Sequence, residues 1–433
     1  MNRAKIRVAV GISGGVDSAV TALLLKEAGC EVVGVHLYCW PPKEEYLVAS
    51  SQYSVEEKES LRKEWVKKNG CRADEDKKFA LKTALELDIP FVTLDFSEEY
   101  NLRVVDYFYR EYEAGRTPNP DVMCNSEIKF GLFLDWALQN GFDFIATGHY
   151  AKIGQTLDEN TGQTLDENTG QTRGPAPTRL FIPADRHKDQ TYFLWKLTQK
   201  ELKHVLFPLG DLEKNEVRKI ALKAALPAGR QGLSVAGRPD SQGICFVGNV
   251  EARKFLARRL QKKMGEVKNI SGEVIGTHDG VWFYTVGQRG GWTIDPKIQK
   301  LLAKPDHASR DKNSKTQKGD ATPVFYVINK DAEKNELVVG VGKETERQRF
   351  EVGEVNWMGK SDTVTQCHVR IRHGGKLIAA EITPSPRNSE ASPPNLGGEY
   401  EVKLFEPQRG VAPGQSAVFY SEEGELLGGG VIA

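Results

Sequence analysis

Short apolar runs alternate with amphipathic stretches through the first third of the chain. Ile6 to Val10 precedes a helix-forming run, Ala19 to Ala28, and Val32 to Leu37 follows. A charged helical stretch from Ser54 to Asn69 comes next, then a helix around Asp76 to Leu87 and a strand at Phe91 to Leu94. Phe142 to Thr147 reads as a further buried strand. Strands alternating with helices predict an α/β domain, a doubly wound and mostly parallel sheet with ligands at the carboxyl ends of its strands. From about Gly265 the pattern changes to β-prone pieces separated by glycines: Val281 to Val286, Val324 to Ile328, Leu337 to Val339, Val364 to Ile371, Glu399 to Phe405 and Ser416 to Tyr420. Strands of that length and spacing predict a small barrel or sandwich.

Polar segments punctuate this pattern. Gln155 to Gly162 recurs letter for letter as Gln163 to Gly170, a tandem repeat with no apolar period, expected as a disordered or hairpin insertion at the surface. Ala228 to Gly232 reads as another insertion, Lys300 to Thr322 as a flexible linker and Arg387 to Gly398 as a polar loop. The expected organisation is an α/β domain over 1–247, a small central domain over 248–300, a linker over 301–322 and a β-barrel-like domain over 323–433. A chain of 433 residues is long enough for two or three such cores. Lys and Arg number 59, as do Asp and Glu, so no global basic field advertises a nucleic-acid partner, and any such contact must use local patches. With no apolar leader and no run of membrane-spanning length, the expected location is cytoplasmic, away from membranes.

Candidate chemistry begins between the first strand and helix, at Gly11-Ile12-Ser13-Gly14-Gly15-Val16-Asp17-Ser18. Adjacent glycines let the backbone turn tightly and aim amide N–H groups at an anion, and the helix that follows adds its positive end. Ser13 and Ser18 can donate to phosphate oxygens, and Asp17 can help hold a magnesium ion. No Gly-Lys-Ser/Thr follows, which excludes the Walker-type loop that transfers a γ-phosphoryl group. Six scattered cysteines with no C-x-x-C pair argue against a zinc site or a secreted disulfide framework. Two of them stand in unusual settings. Thr117-Pro118-Asn119-Pro120-Asp121-Val122-Met123-Cys124-Asn125 is stiffened by two prolines, with Asp121 three residues before Cys124, close enough to act on the same reacting group. Cys245 follows a Gly-containing turn and precedes an aromatic in Pro239 to Phe246. Cys30, Cys39, Cys71 and Cys367 read as small buried hydrophobes.

These segments, with Ala146-Thr147-Gly148-His149-Tyr150-Ala151, Lys188-Asp189-Gln190-Thr191-Tyr192-Phe193-Leu194, Tyr284 to Arg289 and Gly428 to Gly430, resemble in order the blocks of the bacterial tRNA-specific 2-thiouridylase (MnmA) family. The chain departs from that pattern in the repeat, the insertion near Gly229, the 301–322 segment and Gly290, where the family usually has a basic residue. The resemblance implies an ATP-pyrophosphatase (PP-loop) fold over 1–247. It also implies ATP-dependent replacement of oxygen by sulfur at carbon 2 of the tRNA wobble uridine, with release of AMP and pyrophosphate. By the same resemblance ATP, with Mg2+, is expected at Gly11 to Ser18, Leu37 and Gly148, without a dedicated metal site. Cys245 would carry a persulfide and Cys124 would be its partner nucleophile, forming a Cys124–Cys245 disulfide as sulfur is delivered. Such work calls for thiols of lowered pKa, shielded from solvent. Asp121 is the expected general acid/base, or else an Asx-turn cap. The anticodon loop of tRNA would meet Asn119, Pro120, Asp121 and His149, with further contacts at Lys188, Asp189, Gln190, Arg372, His373 and Gln415. A persulfide-donor protein is the second implied partner. The basic stretch Arg253 to Lys263 is a phosphate-contact candidate, or simply a solvated face. Competing readings are another PP-loop ATP pyrophosphatase, of the amidotransferase or lysidine-ligase kind, and an inactive RNA-binding relative.

Overall fold

The computed structural model describes residues 5–41, 72–155, 177–224, 232–239, 252–298, 324–359, 366–385 and 398–433, with positions 54, 60, 63–64, 164–165 and 172–173. The apolar runs near the N-terminus become β1 (Arg7–Gly11), β2 (Glu31–Tyr38), β3 (Phe91–Asp95) and β4 (Phe144–Ala146). A hairpin of β5 (Lys152–Gln155) and β8 (Thr178–Phe181) encloses β6 (Thr164–Leu165) and β7 (Thr172–Arg173), which pair with each other antiparallel. The repeat therefore emerges from a hairpin, and most of it lies outside the described residues, as do nearly all of Ser54 to Asn69, Ala228 to Arg230, the 301–322 segment and most of Arg387 to Gly398.

With β9 (Val205–Leu206), the first strands form a five-stranded sheet in the order β3-β2-β1-β4-β9, every pairing parallel. Val8, Ala9 and Val10 are fully buried because helices cover both faces of the sheet. Helix α1 (Val16–Glu27) starts from Gly15 without a side-chain cap, carries Asp17 in its first turn and Lys26 in its last, and buries most of its length against β1, β2 and the helix Lys214–Lys223. The chain runs from β1 outward through β2 to β3 and then returns to β4 on the other side of β1. That reversal opens a crevice beyond the carboxyl ends of β1 and β4, where ligands of such sheets bind.

Strand pairing redraws the boundary expected at 323. The central sheet, β12-β11-β10-β14-β13, joins β10 (Gly265–Lys268), β11 (Val274–His278) and β12 (Thr293–Ile294) to β13 (Tyr326–Asp331) and β14 (Glu336–Gly340). Its middle pairing is parallel, Val267 opposite Leu337, so 326–340 belong to the central domain and not to the barrel. The barrel starts at β15 (Glu346–Trp357) and continues through β16 (Gln366–Arg370), β17 (Ile378–Pro384), β18 (Tyr400–Arg409), β19 (Ser416–Tyr420) and β20 (Leu426–Ile432), closed in the order β15-β18-β17-β16-β19-β20. Closure removes its edges. The expected strand at Val281 to Val286 is a 3-10 turn, Val281–Phe283, followed by irregular chain. Asn335 holds it there: its Oδ1 accepts from the Val281 amide at 3.1 Å, while its Nδ2 donates to the carbonyls of Lys263 and Met264. The basic stretch Arg253 to Lys263 is helical only over Ala252–Leu256, and Arg253 and Arg259 spend their charge on Asp279 and Asp106.

Both outer domains are packed onto the first. Val418, Tyr420 and Leu426 of the barrel share a core with Phe130, Phe133, Tyr192 and Trp195, and the Trp195 indole donates to Ser416 Oγ at 3.0 Å. Tyr100, Phe108 and Tyr109 share another with Phe255, Phe283 and Tyr284 of the central domain. Each such fully buried side chain contributes about 1.5–3 kcal/mol, enough to hold the loops between the domains in one arrangement.

Candidate active site

The crevice is floored by the Gly-rich loop. Ile12 is still tied to the sheet, its amide donating to Val35 O at 2.7 Å, and the chain then turns through Gly14 at φ +82°. A Cβ at Gly14 would stand 2.4 Å from Asp76 O, so only glycine fits. Arg238 clamps the turn, donating to Gly14 O at 2.6 Å and to Asp76 Oδ1 at 2.9 Å while lying over the Phe79 ring. The Ser13 and Ser18 hydroxyls lie 3.2 Å apart, and Ser18 Oγ accepts from the Ser13 amide at 3.1 Å. The first-turn amides of α1 have no carbonyl one turn earlier in the helix to bond, so they face the crevice as donors. This hydroxyl-and-amide cradle fits the polyphosphate of ATP. Asp17, expected at magnesium, is engaged elsewhere: both carboxylate oxygens accept from Lys214 Nζ at 2.7 Å, and Oδ1 also accepts from Tyr150 at 2.8 Å. Among the described residues no cluster of three or more His, Cys, Asp or Glu could hold a metal ion.

Sequence reading missed Lys214 and Arg238. Each reaches the loop from some two hundred positions away in the chain, and nothing in its own neighbourhood signals that destination.

Gly148 joins the cradle to the second half of the site. A Cβ there would lie 2.8 Å from Ser18 N and 2.9 Å from Asp17 C, which lets the segment after β4 touch the start of α1 directly. Gly148→Ala is therefore expected to weaken ATP binding about tenfold or more, since overpacking of this kind costs about 1–3 kcal/mol; calorimetric titration with ATP checks it, and unchanged affinity contradicts it. Leu37 stands at the end of β2, half-buried and paired with Leu94.

Next to Gly148, His149 is buried, its Nδ1 2.7 Å from Thr147 Oγ1 and its ring against Phe130 and Phe207. Burial, and the charge of Lys129, hold its pKa well below the ordinary imidazole value, so it is neutral. Phe130 belongs to a π-helix, Cys124–Leu132, that continues the short helix Pro120–Met123. Asn119 caps that short helix, its Oδ1 accepting from the Val122 amide at 3.4 Å, and Pro120 occupies the first turn. Asp121 and Cys124 sit in this turn, and burial pushes both of their pKa values up. The lowered thiol pKa expected of Cys124 is thus not found: desolvation outweighs the opposing pull of Lys129, and Asp121 pushes the same way as burial. Cys245 lies outside the described residues.

The residues expected at RNA are largely occupied in holding this loop. Gln415 Nε2 donates to Thr117 O and Pro118 O, each at 3.0 Å. Gln190 exchanges bonds with the Tyr150 backbone. Arg372 donates to Gly410 O and Val286 O, tying barrel to central domain. His373 packs on Phe193 at 4.5 Å and bonds Asp189 O, and Lys188 is half-buried beside it in sequence. Asp189 is itself buried, its carboxylate divided between Arg370 at 2.5 Å and the amide and hydroxyl of Thr191. No helix among the described residues is long and apolar enough to cross a membrane.

Comparison with known proteins covers the whole chain. Residues 6–249 match the model of a tRNA methyl transferase HUP domain, 253–341 a tRNA methyl transferase PRC-barrel domain and 347–432 an aminomethyltransferase beta-barrel domain. These limits agree with the strand pairing that places 326–340 in the central sheet. The tRNA-specific 2-thiouridylase MnmA of Streptococcus thermophilus is 38% identical over 100% of this chain and 96% of its own length. Those of Streptococcus mutans and Streptococcus pyogenes are each 37% identical with the same coverage. Among solved structures, one titled as a predicted subunit of tRNA methyltransferase from Methanocaldococcus jannaschii covers 50% of this chain and 76% of its own at 12% identity, with a TM-score of 0.25, too low to carry an argument.

Proposed function

The chain belongs to the tRNA-specific 2-thiouridylase (MnmA) family, and from that membership we propose that it adenylates O2 of a tRNA wobble uridine and replaces that oxygen with sulfur. One observation supports the reading: Gly148 packs on the start of α1 while its neighbour His149 packs on Phe130 of the helix that begins at Cys124, so a single segment after β4 touches both the phosphate cradle and the helix bearing that cysteine.

The cradle at Ser13 to Ser18 grips the polyphosphate while uridine O2 bonds to the α-phosphorus and the bond to the departing pyrophosphate breaks. Neutral His149 offers a polar edge without a competing charge, and Asn119 to Asp121 line the place of a flipped base. A persulfide on Cys245, supplied by a donor protein, attacks carbon 2 through its terminal sulfur and expels AMP. Cys124, as thiolate, then attacks the Cys245 sulfur. The old S–S bond breaks, its outer sulfur stays on the base as the thiocarbonyl, and a Cys124–Cys245 disulfide remains for an external dithiol to reduce. Asp121 takes the Cys124 proton.

The test is reconstitution. Protein, ATP with Mg2+, a persulfide source and tRNA are expected to yield 2-thiouridine with one AMP and one pyrophosphate per sulfur, read by nucleoside mass spectrometry. Pyrophosphate release independent of tRNA, or methylated uridine without sulfur, would overturn it.

A further inference from the structure

Lys129 has no part in the scheme above, yet its place is unusual. Its side chain is half-buried and, among the described residues, its ammonium makes no hydrogen bond or ion pair. Its charge bears on three groups of the site, Asp121, Cys124 and His149. The helix geometry explains why. At about 3.6 residues per turn an α-helix would set positions 124 and 129 on well-separated faces. Over Cys124–Leu132 the helix is instead of the π type, and bonding from i to i+5 winds wider and brings residues five apart back to one side.

We propose that Lys129 is a positioning residue, the counter-ion for a single negative charge that Asp121 and Cys124 pass between them during turnover. The inference rests on the thiolation reading. When the Asp121 carboxylate takes the Cys124 proton, an S–H bond breaks, an O–H bond forms and the charge of the pocket stays the same. The anion moves from oxygen to sulfur within the field of the same ammonium. A dry pocket tolerates one anion with one cation far better than a bare thiolate. The other groups facing this pair are Tyr100, which hydrogen-bonds Cys124, and His373, whose charge bears on Asp121.

The test titrates thiolate absorbance with pH in the full-length protein, subtracting the signal of a matching Cys124→Ser protein at each pH. Lys129→Met, which keeps much of the aliphatic stem, is expected to move the Cys124 midpoint up by about one unit or more, and Lys129→Arg to return most of that shift. A Lys129→Met midpoint equal to that of the unsubstituted protein overturns the proposal, as does a shift that Lys129→Arg fails to reverse, which would mark a packing role. Should Lys129→Met not fold, Lys129→Gln is titrated in its place under the same criteria. Neither ATP nor tRNA enters this measurement, so its failure is distinguishable from failure of the thiolation assay.

Discussion

Replacing Cys245 with serine is expected to abolish 2-thiouridine formation, a loss on the order of a thousandfold or more, as when an enzyme loses its covalent carrier. Serine is nearly isosteric but cannot hold a persulfide, so sulfur has no route to the base. In the proposed scheme adenylation uses the cradle at Ser13 to Ser18 and is independent of that thiol, so tRNA-dependent pyrophosphate release should persist at least through a first turnover. Cys124→Ser should also retain adenylation yet fail to finish the cycle, because a hydroxyl at this position cannot open the S–S bond. Nucleoside mass spectrometry paired with a pyrophosphate assay separates these outcomes. Undiminished 2-thiouridine from Cys245→Ser would remove that residue from the sulfur path.

The largest effect on stability is expected at Asp189. Its side chain is 3% exposed, that of its partner Arg370 9%, and the guanidinium also lies over the Tyr420 ring. Arg370 Nε already lacks a hydrogen-bond partner, so the pair has no spare capacity. Truncation in Asp189→Ala strands a buried cation and should lower unfolding free energy by about 3–5 kcal/mol. Adding Arg370→Met should recover much of that loss, since an apolar side chain of similar length needs no counter-charge. Urea unfolding followed by tryptophan fluorescence measures both. If Asp189→Ala kept its urea midpoint and lost tRNA affinity instead, the carboxylate would belong to the RNA interface after all.

The first domain was readable because its signals are local. Val8 to Val10 and Val32 to Val35 are apolar on both faces, as strands of a covered parallel sheet are, and the glycines between strand and helix mark the crevice. Ser416 to Tyr420 was legible to the residue, its five positions all buried. What stayed hidden depends on distant partners. Val281 to Val286 has the composition of a strand, but Asn335 captures the Val281 amide from 54 positions further along. The motif around Cys124 marked the turn now read as the reactive one, whereas the π winding over Cys124–Leu132 leaves no trace in residue type. Nor could spacing show that Asp17 would be claimed by Lys214, or that burial would raise the Cys124 thiol.

The pairing of β10 with β14 bears on how the protein is made. Until the ribosome has released residues 336–340, β10 has, among the described strands, a neighbour only in β11, and its other side lacks the strand that pairs its backbone groups. The middle domain must therefore wait, half-assembled, for its last hairpin, and nascent chains halted before that point are the species that chaperones would have to shelter.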